Sequence, residues 1–85
     1  MIEVPKYIDI DYDELCDNGL AINVIRLDVP YRGKGLFKKF LNDLMEEYSF
    51  ITLVCWPTLI PMYKHLGFEE VGMEYDGYMG MIRKK

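Results

Sequence analysis

Histidine, cysteine and tryptophan are nearly missing from these 85 residues, which contain one, two and one of them respectively. With His65 as the single imidazole and Cys16 and Cys55 far apart in the chain, no metal-ligand cluster of usual spacing can be drawn. The two cysteines allow one bridge at most, and in a reducing compartment both are expected as free thiols, with Cys55 buried at the end of an apolar run. No apolar run reaches membrane-spanning length, and Met1-Ile2-Glu3-Val4-Pro5-Lys6 lacks the basic and apolar regions of a signal peptide. The expectation is a cytoplasmic chain without a membrane partner. Neither GxxxxGK[ST] nor GxGxxG occurs, which excludes the common nucleotide-hydrolase loop and the dinucleotide fingerprint. No linker, internal repeat or low-complexity stretch interrupts the sequence, so residues 1–85 read as a single domain.

What is present is a folding composition: 51% of residues are apolar and 14% aromatic. A chain this short buries only about 60–65% of the surface its unfolded form exposes, and a homodimer is one way to bury more. The net charge of −4 is unevenly spread. Residues 1–30 carry seven acids against two bases, residues 31–45 four bases against one acid, and residues 46–85 six acids against four bases. A short basic segment inside an acidic protein does not make the broad basic face that nucleic acids require, so no nucleic-acid partner is expected. It suits a local anion site.

Residues 2–12 alternate in polarity and predict a half-buried strand, with Pro5 marking a sheet edge. Asp17-Asn18-Gly19 predicts a turn with two positive φ values. Leu20–Val29 predicts a second strand, antiparallel to the first, and Pro30-Tyr31-Arg32-Gly33 breaks it. From Lys34 the period becomes helical through Leu36, Phe37, Phe40, Leu41, Leu44, Met45 and Tyr48, predicting an amphipathic helix of about four turns. Phe50–Cys55 is almost wholly apolar and predicts a strand buried on both faces. A short helix over 58–66 follows, ended by Gly67 where a left-handed residue is wanted. Phe68–Glu74 and Tyr78–Arg83 predict two closing strands around Asp76-Gly77. The order ββαβαββ implies an α+β fold with a mixed, mostly antiparallel sheet.

The central helix carries its charge against its dipole. Lys34, Lys38 and Lys39 crowd the positive end and Glu46 and Glu47 the negative end, each forgoing roughly 0.3–1 kcal/mol. A bound polyanion accounts for this arrangement, because uncapped N–H groups, preceding glycines and nearby lysines form a phosphate cradle. The alternative is a solvated face whose charges fell this way by chance.

On these residues the chain resembles the GNAT superfamily of acyl-CoA-dependent N-acyltransferases. Leu27-Asp28-Val29-Pro30-Tyr31-Arg32-Gly33-Lys34-Gly35-Leu36 is similar to the family's strand and pyrophosphate loop, usually written V-x-P-x-x-R-G-x-G-[IL]-[GA]. Tyr63-Lys64-His65-Leu66-Gly67-Phe68 matches its Y-x-x-x-G-F. The resemblance covers about residues 20–84. It implies a V-shaped opening between the parallel strands holding Leu27 and Leu53, with acetyl-CoA as cosubstrate and no metal. Backbone groups of Leu27 and Val29 would pair with the pantetheine arm like an added strand. The N–H groups of Arg32, Gly33, Lys34, Gly35, Leu36 and Phe37 would hold the pyrophosphate. The amine would attack the thioester directly, and Tyr63 would protonate the leaving thiolate, a role suited to a phenol near its ordinary value of ~10. Three departures stand out. Phe37 replaces the family's Gly or Ala, the Pro30-Tyr31 loop is about one residue short, and only residues 1–18 precede the second strand. An open acceptor site of that kind would suit a protein lysine as well as a small-molecule amine.

The remaining candidates carry less. No general base stands out, and Asp28 is close to the loop. Asp9, Asp11, Asp13, Glu14 and Asp17 read as a charged strand edge that resists aggregation, with steering of a cationic acceptor as the alternative. Asp9-x-Asp11-x-Asp13 fails as a calcium loop, having Glu14 in place of Gly and Leu20 in place of Glu. His65 reads as a surface helix residue, and a Cys55–His65 nucleophile pair lacks an orienting motif. Trp56 either covers the acyl end of the cofactor or packs. Two functions follow: an N-acetyltransferase, or a non-catalytic module that keeps the fold, with or without the cofactor, and acts through protein contacts.

Overall fold

A computed structural model describes residues 2–73 and 76–85. Strands β1 (Ile8–Leu15), β2 (Gly19–Leu27), β3 (Phe50–Cys55), β4 (Glu69–Met73) and β5 (Met79–Lys84) form one sheet in the order β1-β2-β3-β5-β4. Helix α1 (Leu36–Glu47) joins β2 to β3, and α2 (Ile60–His65) joins β3 to β4. All neighbours are antiparallel except β2 and β3, which the α1 crossover makes parallel. The expected order ββαβαββ and α+β class are those observed, with β1 at an edge as Pro5 suggested. Glu74, the last residue of the expected fourth strand, lies outside the described residues.

Boundaries moved where backbone chemistry overrode periodicity. The expected strand over 2–12 starts only at Ile8. Pro5 supplies no ladder donor, its carbonyl accepts the Ile8 N–H at 3.1 Å, and a turn at 6–7 sends Ile2 into the core. The second strand stops at Leu27, because Pro30 lies within a 3₁₀ turn over Val29–Tyr31. Gly35 has φ +75°, outside helical space, so α1 begins at Leu36 and spans 12 residues, nearer three turns than four. The turn forms, but its positive φ values of 63° and 61° fall on Asp17 and Asn18, one residue earlier than the expected Asn18-Gly19 pair, because Gly19 at φ −101° already opens β2.

Both helices pack on one face of the sheet. Phe40, Leu41, Leu44 and Met45 of α1 and Tyr63 of α2 join Leu20, Ile22, Ile51, Leu53, Cys55 and Met81 in one core. Among the described residues no helix covers the other face, where Val24, Val54 and Val71 remain exposed. This corrects the expectation for Phe50–Cys55. Ile51, Leu53 and Cys55 are buried on the helix side, whereas Val54 is 43% exposed on the other. Apolarity on both sides of a strand shows only that each side is compatible with burial; the placement of the helices decides which is covered.

One irregularity positions the site. The β1–β2 register runs Asp11↔Val24 and then Tyr12↔Ile22, so Asn23 is an extra residue on β2. This bulge turns Ile25 and Leu27, like Leu20 and Ile22 before it, toward the helices, and a bulged strand bends. Pairing with β3 ends at the same point, the last registered pair being Ile22↔Leu53. Beyond it the two parallel strands splay, and the β2 edge facing β3 has no strand partner. The side-chain amide of Asn23 donates to Asp11 and Asp13 at 3.3 and 3.0 Å, tying the bulge to the edge strand.

Candidate functional site

The splay opens into a cleft with a wide and a narrow end. The wide end, about 650 Å³, lies between the end of β2, the start of α1 and one side of α2. Its floor is apolar, formed by Ile25, Leu27, Phe37, Leu59, Met62 and Leu66, and Arg26, Arg32, Lys38 and His65 stand at its rim. The narrow end, about 310 Å³, runs into the splay past Asn23, Val24, Cys55, Trp56 and Tyr78. Ile25, Leu59 and Tyr63 belong to both walls, so the two ends adjoin at these side chains.

The loop at the wide end is held by backbone chemistry. The Asp28 N–H donates to the Tyr7 carbonyl at 2.9 Å, and the rings of Tyr7 and Tyr31 meet edge-on at 4.7 Å. The Arg32 Nε donates to the Leu27 carbonyl at 3.0 Å, folding the guanidinium back along the strand end. Gly33 and Gly35 adopt φ of +78° and +75°, and a Cβ on either would meet nothing within 4 Å. Their glycine is therefore a conformational requirement and not a steric one. Gly35 occupies the N-cap of α1 without a side-chain cap, which leaves the first amides of the helix open to an outside acceptor. That geometry suits a phosphate group.

The three lysines divide. Lys38 lines the cleft, whereas Lys39 donates to Asp43 at 2.9 Å, and that contact raises its ammonium above the ordinary value. Lys39 faces a separate groove of about 480 Å³ between α1 and the N-terminal segment. Lys39 thus belongs to the helix surface, and the basic cradle is narrower than the sequence implied.

Tyr63 is placed by the way α2 ends. The Gly67 N–H donates to the Lys64 carbonyl and the Phe68 N–H to the Tyr63 carbonyl, both at 3.0 Å, with Gly67 at φ +94°. This is a Schellman cap, whose usual apolar contact between the flanking residues is here the Tyr63–Phe68 ring pair at 5.6 Å. The Tyr-x-x-x-Gly-Phe spacing is therefore a helix-termination device that aims Tyr63. The Phe37 ring closes on Tyr63 from α1 at 6.2 Å. Phe37 is half-buried against the core, so its ring forms cleft wall and leaves its own amide at the helix start.

Tyr63 is 5% exposed, yet its hydroxyl has no hydrogen-bond partner among the described residues. Burial, with a smaller effect from Cys55, pushes its pKa up to about 12. This changes the expected acid–base match. A phenol near 12 gives up its proton less readily than one at the ordinary value of ~10, while its hydroxyl can still donate a hydrogen bond into the cleft.

Of the residues expected at a cofactor site, Leu27, Arg32, Gly33, Gly35, Phe37 and Tyr63 line the cleft. Lys34 and Leu36 sit in the loop and first helical turn outside its walls. Val29 does not lie along the strand edge: it is in the 3₁₀ turn, and its carbonyl accepts the Arg32 N–H at 3.1 Å. The edge without a strand partner runs instead over Asn23–Leu27, with the Leu27 carbonyl already taken by Arg32, and sequence reasoning missed it because one bulged residue leaves no mark on polarity. Trp56 packs on Tyr78 at 4.3 Å beside the narrow end. Among the described residues no group of three His, Cys, Asp or Glu is placed to hold a metal, and no helix is long and apolar enough to cross a membrane.

No family model and no curated protein sequence matches the chain. Solved structures do. The PaiA N-acetyltransferase from Thermoplasma acidophilum, solved with coenzyme A, superposes with a TM-score of 0.72 at 15% identity over 89% of this chain and 52% of its own. An acetyltransferase of the GNAT family from Staphylococcus aureus gives 0.68 at 20% identity, over 92% and 59%. The ribosomal-protein-S18-alanine N-acetyltransferase from Escherichia coli gives 0.66 at 20%, over 92% and 61%. The chain thus has the fold of the GNAT N-acetyltransferases and spans between half and two thirds of the length of these structures.

Proposed function

We propose that the chain is an N-acetyltransferase domain that takes acetyl-CoA into the splayed cleft and transfers its acetyl group to a primary amine. The observation that carries this reading is Tyr63: a buried phenol with an unpartnered hydroxyl in the wall shared by both ends of the cleft. The residues present fit coenzyme A. Open amides at the start of α1, with Gly33, Gly35 and Lys38, suit the pyrophosphate, and the β2 edge without a strand partner over Asn23–Leu27 suits the amides of pantetheine. The apolar floor covers the rest.

Acetyl-CoA supplies the activated acyl group. The chain contributes orientation: free backbone donors of the strand edge fix the thioester, and the narrow end admits the amine from the open face of the sheet. The amine attacks the carbonyl carbon, the carbon–sulfur bond breaks, and the Tyr63 hydroxyl donates to the sulfur as negative charge develops there. The amine's surplus proton leaves through solvent. A protein lysine and a small-molecule amine both fit the open acceptor side. A second reading, a non-catalytic module that acts through protein contacts with or without CoA, draws support from that same openness, since exposed Val24, Val54 and Val71 leave the acceptor side uncovered.

Calorimetric titration with acetyl-CoA tests the cofactor site. Micromolar binding, about −8 kcal/mol, is expected. Ligand at 100 times Kd adds about 2.7 kcal/mol of stability, raising the melting temperature of a domain this size by roughly 10 °C or more. No heat and no thermal shift at millimolar ligand would overturn the acetyltransferase reading and leave a module that acts through protein contacts without CoA. Binding without CoA release across a panel of amines would leave the module that keeps CoA.

A further inference from the structure

We infer that Cys55 is a site of reversible disulfide formation with coenzyme A, reached by exchange with a CoA disulfide bound in the cleft. The inference rests on the cofactor reading above, because it takes that cleft to deliver the CoA sulfur to the splay. Cys55 ends β3 and is 5% exposed, yet it forms part of the wall of the narrow end. The same wall holds Tyr63, itself buried, whose hydroxyl faces the cleft without a partner. That hydroxyl is not sealed from solvent and so is open to a ligand in the cleft, and Cys55 is close enough to influence the phenol electrostatically.

The fold offers Cys55 no other oxidised partner among the described residues. Cys16 is exposed in the turn before Gly19, which registers with Phe50 at the opposite end of β3. At about 3.3 Å per residue the length of β3 separates the two cysteines by roughly 16 Å, far beyond the ~7 Å Cα limit of a disulfide. An internal disulfide is therefore out of reach for Cys55, and the oxidised partner in an exchange has to be a disulfide brought in by a ligand.

The exchange balances. The Cys55 thiol loses its proton, the thiolate attacks one sulfur of the CoA disulfide, and that S–S bond breaks. A Cys55–CoA disulfide forms while the other half leaves as a thiolate and takes up a proton. Burial pushes the Cys55 thiol up, so little thiolate is present at neutral pH and ordinary disulfides react slowly. A disulfide held in the cleft gains from local concentration, on the order of millimolar against a dilute reagent. The adduct would occupy the donor site, switching the protein off under oxidation until a thiol reduces it.

The test uses the Cys16→Ser protein, which removes the exposed competitor. It is incubated with 0.1 mM-range CoA disulfide or glutathione disulfide and followed by intact mass. Expected are one CoA unit on Cys55 by peptide mapping, formation at least about tenfold faster than with glutathione disulfide, slowing by saturating acetyl-CoA, and reversal by dithiothreitol. No adduct, equal rates with the two disulfides, or indifference to acetyl-CoA would overturn the inference. Calorimetry on the same protein separates the two levels: acetyl-CoA binding without an adduct removes only the Cys55 site, and no binding removes the cofactor reading with it.

Discussion

Replacing Tyr63 by Phe removes a single oxygen, and the structure says what that oxygen does. The ring stays packed between Phe37 and Phe68, at 6.2 and 5.6 Å. The hydroxyl has no partner among the described residues, so its loss orphans no buried donor or acceptor, and the usual penalty of about 1–3 kcal/mol does not arise. Stability should stay within about 0.5 kcal/mol of the parent, a melting shift of at most ~4 °C for a domain of this size. Acetyl-CoA affinity by calorimetry should also hold. Turnover is another matter. A positioned proton or hydrogen-bond donor contributes typically 10²–10⁴-fold, and a phenol held near 12 belongs at the lower end. A loss of about 100-fold in kcat, or ~2.7 kcal/mol, is expected. The assay is CoA thiol release with whichever amine of a panel of polyamine, lysine peptide and α-amino peptide is turned over. An unchanged kcat would reduce Tyr63 to packing. A kcat lost together with melting temperature would show that the hydroxyl is structural, refuting the argument from its missing partner.

The other predictions concern the loop, the sheet and alkaline pH. Gly35→Glu should abolish acetyl-CoA binding by setting a carboxylate at the helix start, while the left-handed backbone costs about 1–2 kcal/mol and leaves circular dichroism native; retained affinity would remove the loop from the site. Gly19→Ala should destabilise by about 1–3 kcal/mol in urea unfolding, because its Cβ would meet the Phe50 ring at 2.1 Å, and a neutral result would mean that the half-buried ring swings away freely. Burial and the Glu14 contact push Tyr48 up to about 12, and burial does the same to Tyr63. The folded chain then keeps protons that the unfolded chain loses above its ordinary value near 10, so this stability is complete below pH 10 and lost as pH rises from about 10 to 12. Urea midpoints should be flat from pH 8 to 9.5 and fall by pH 11, less so in Tyr48→Phe; a flat profile throughout contradicts the assignment.

The element order, the helix that carries Phe40, Leu41 and Leu44, and the two motifs were all legible in the sequence because each is local. Helical spacing, the Asp17-Asn18-Gly19 turn and glycines at the ends of α1 and α2 act over a few residues, and their backbone requirements are stated by residue type alone. The Tyr63-x-x-x-Gly67-Phe68 spacing was readable as a motif, and the Schellman cap supplies its mechanism.

What the tertiary structure decided is everything that depends on which surfaces meet. Val54 reads like Leu53, yet it is exposed because both helices fell on the other face. Lys38 and Lys39 read alike, yet one lines the cleft and the other pairs with Asp43 one turn along, since adjacent helical positions point about 100° apart. Val29 matched the family strand, but Pro30 ended that strand early and left Asn23–Leu27 as the edge without a strand partner. The opening itself depends on a single extra residue at Asn23, which ends the pairing of β2 with β3 and is visible only in the register of the neighbouring strand. Sequence determined the elements and the chemistry available at their ends. The cleft is a relation between strands that part company, and a relation of that kind is set by long-range packing.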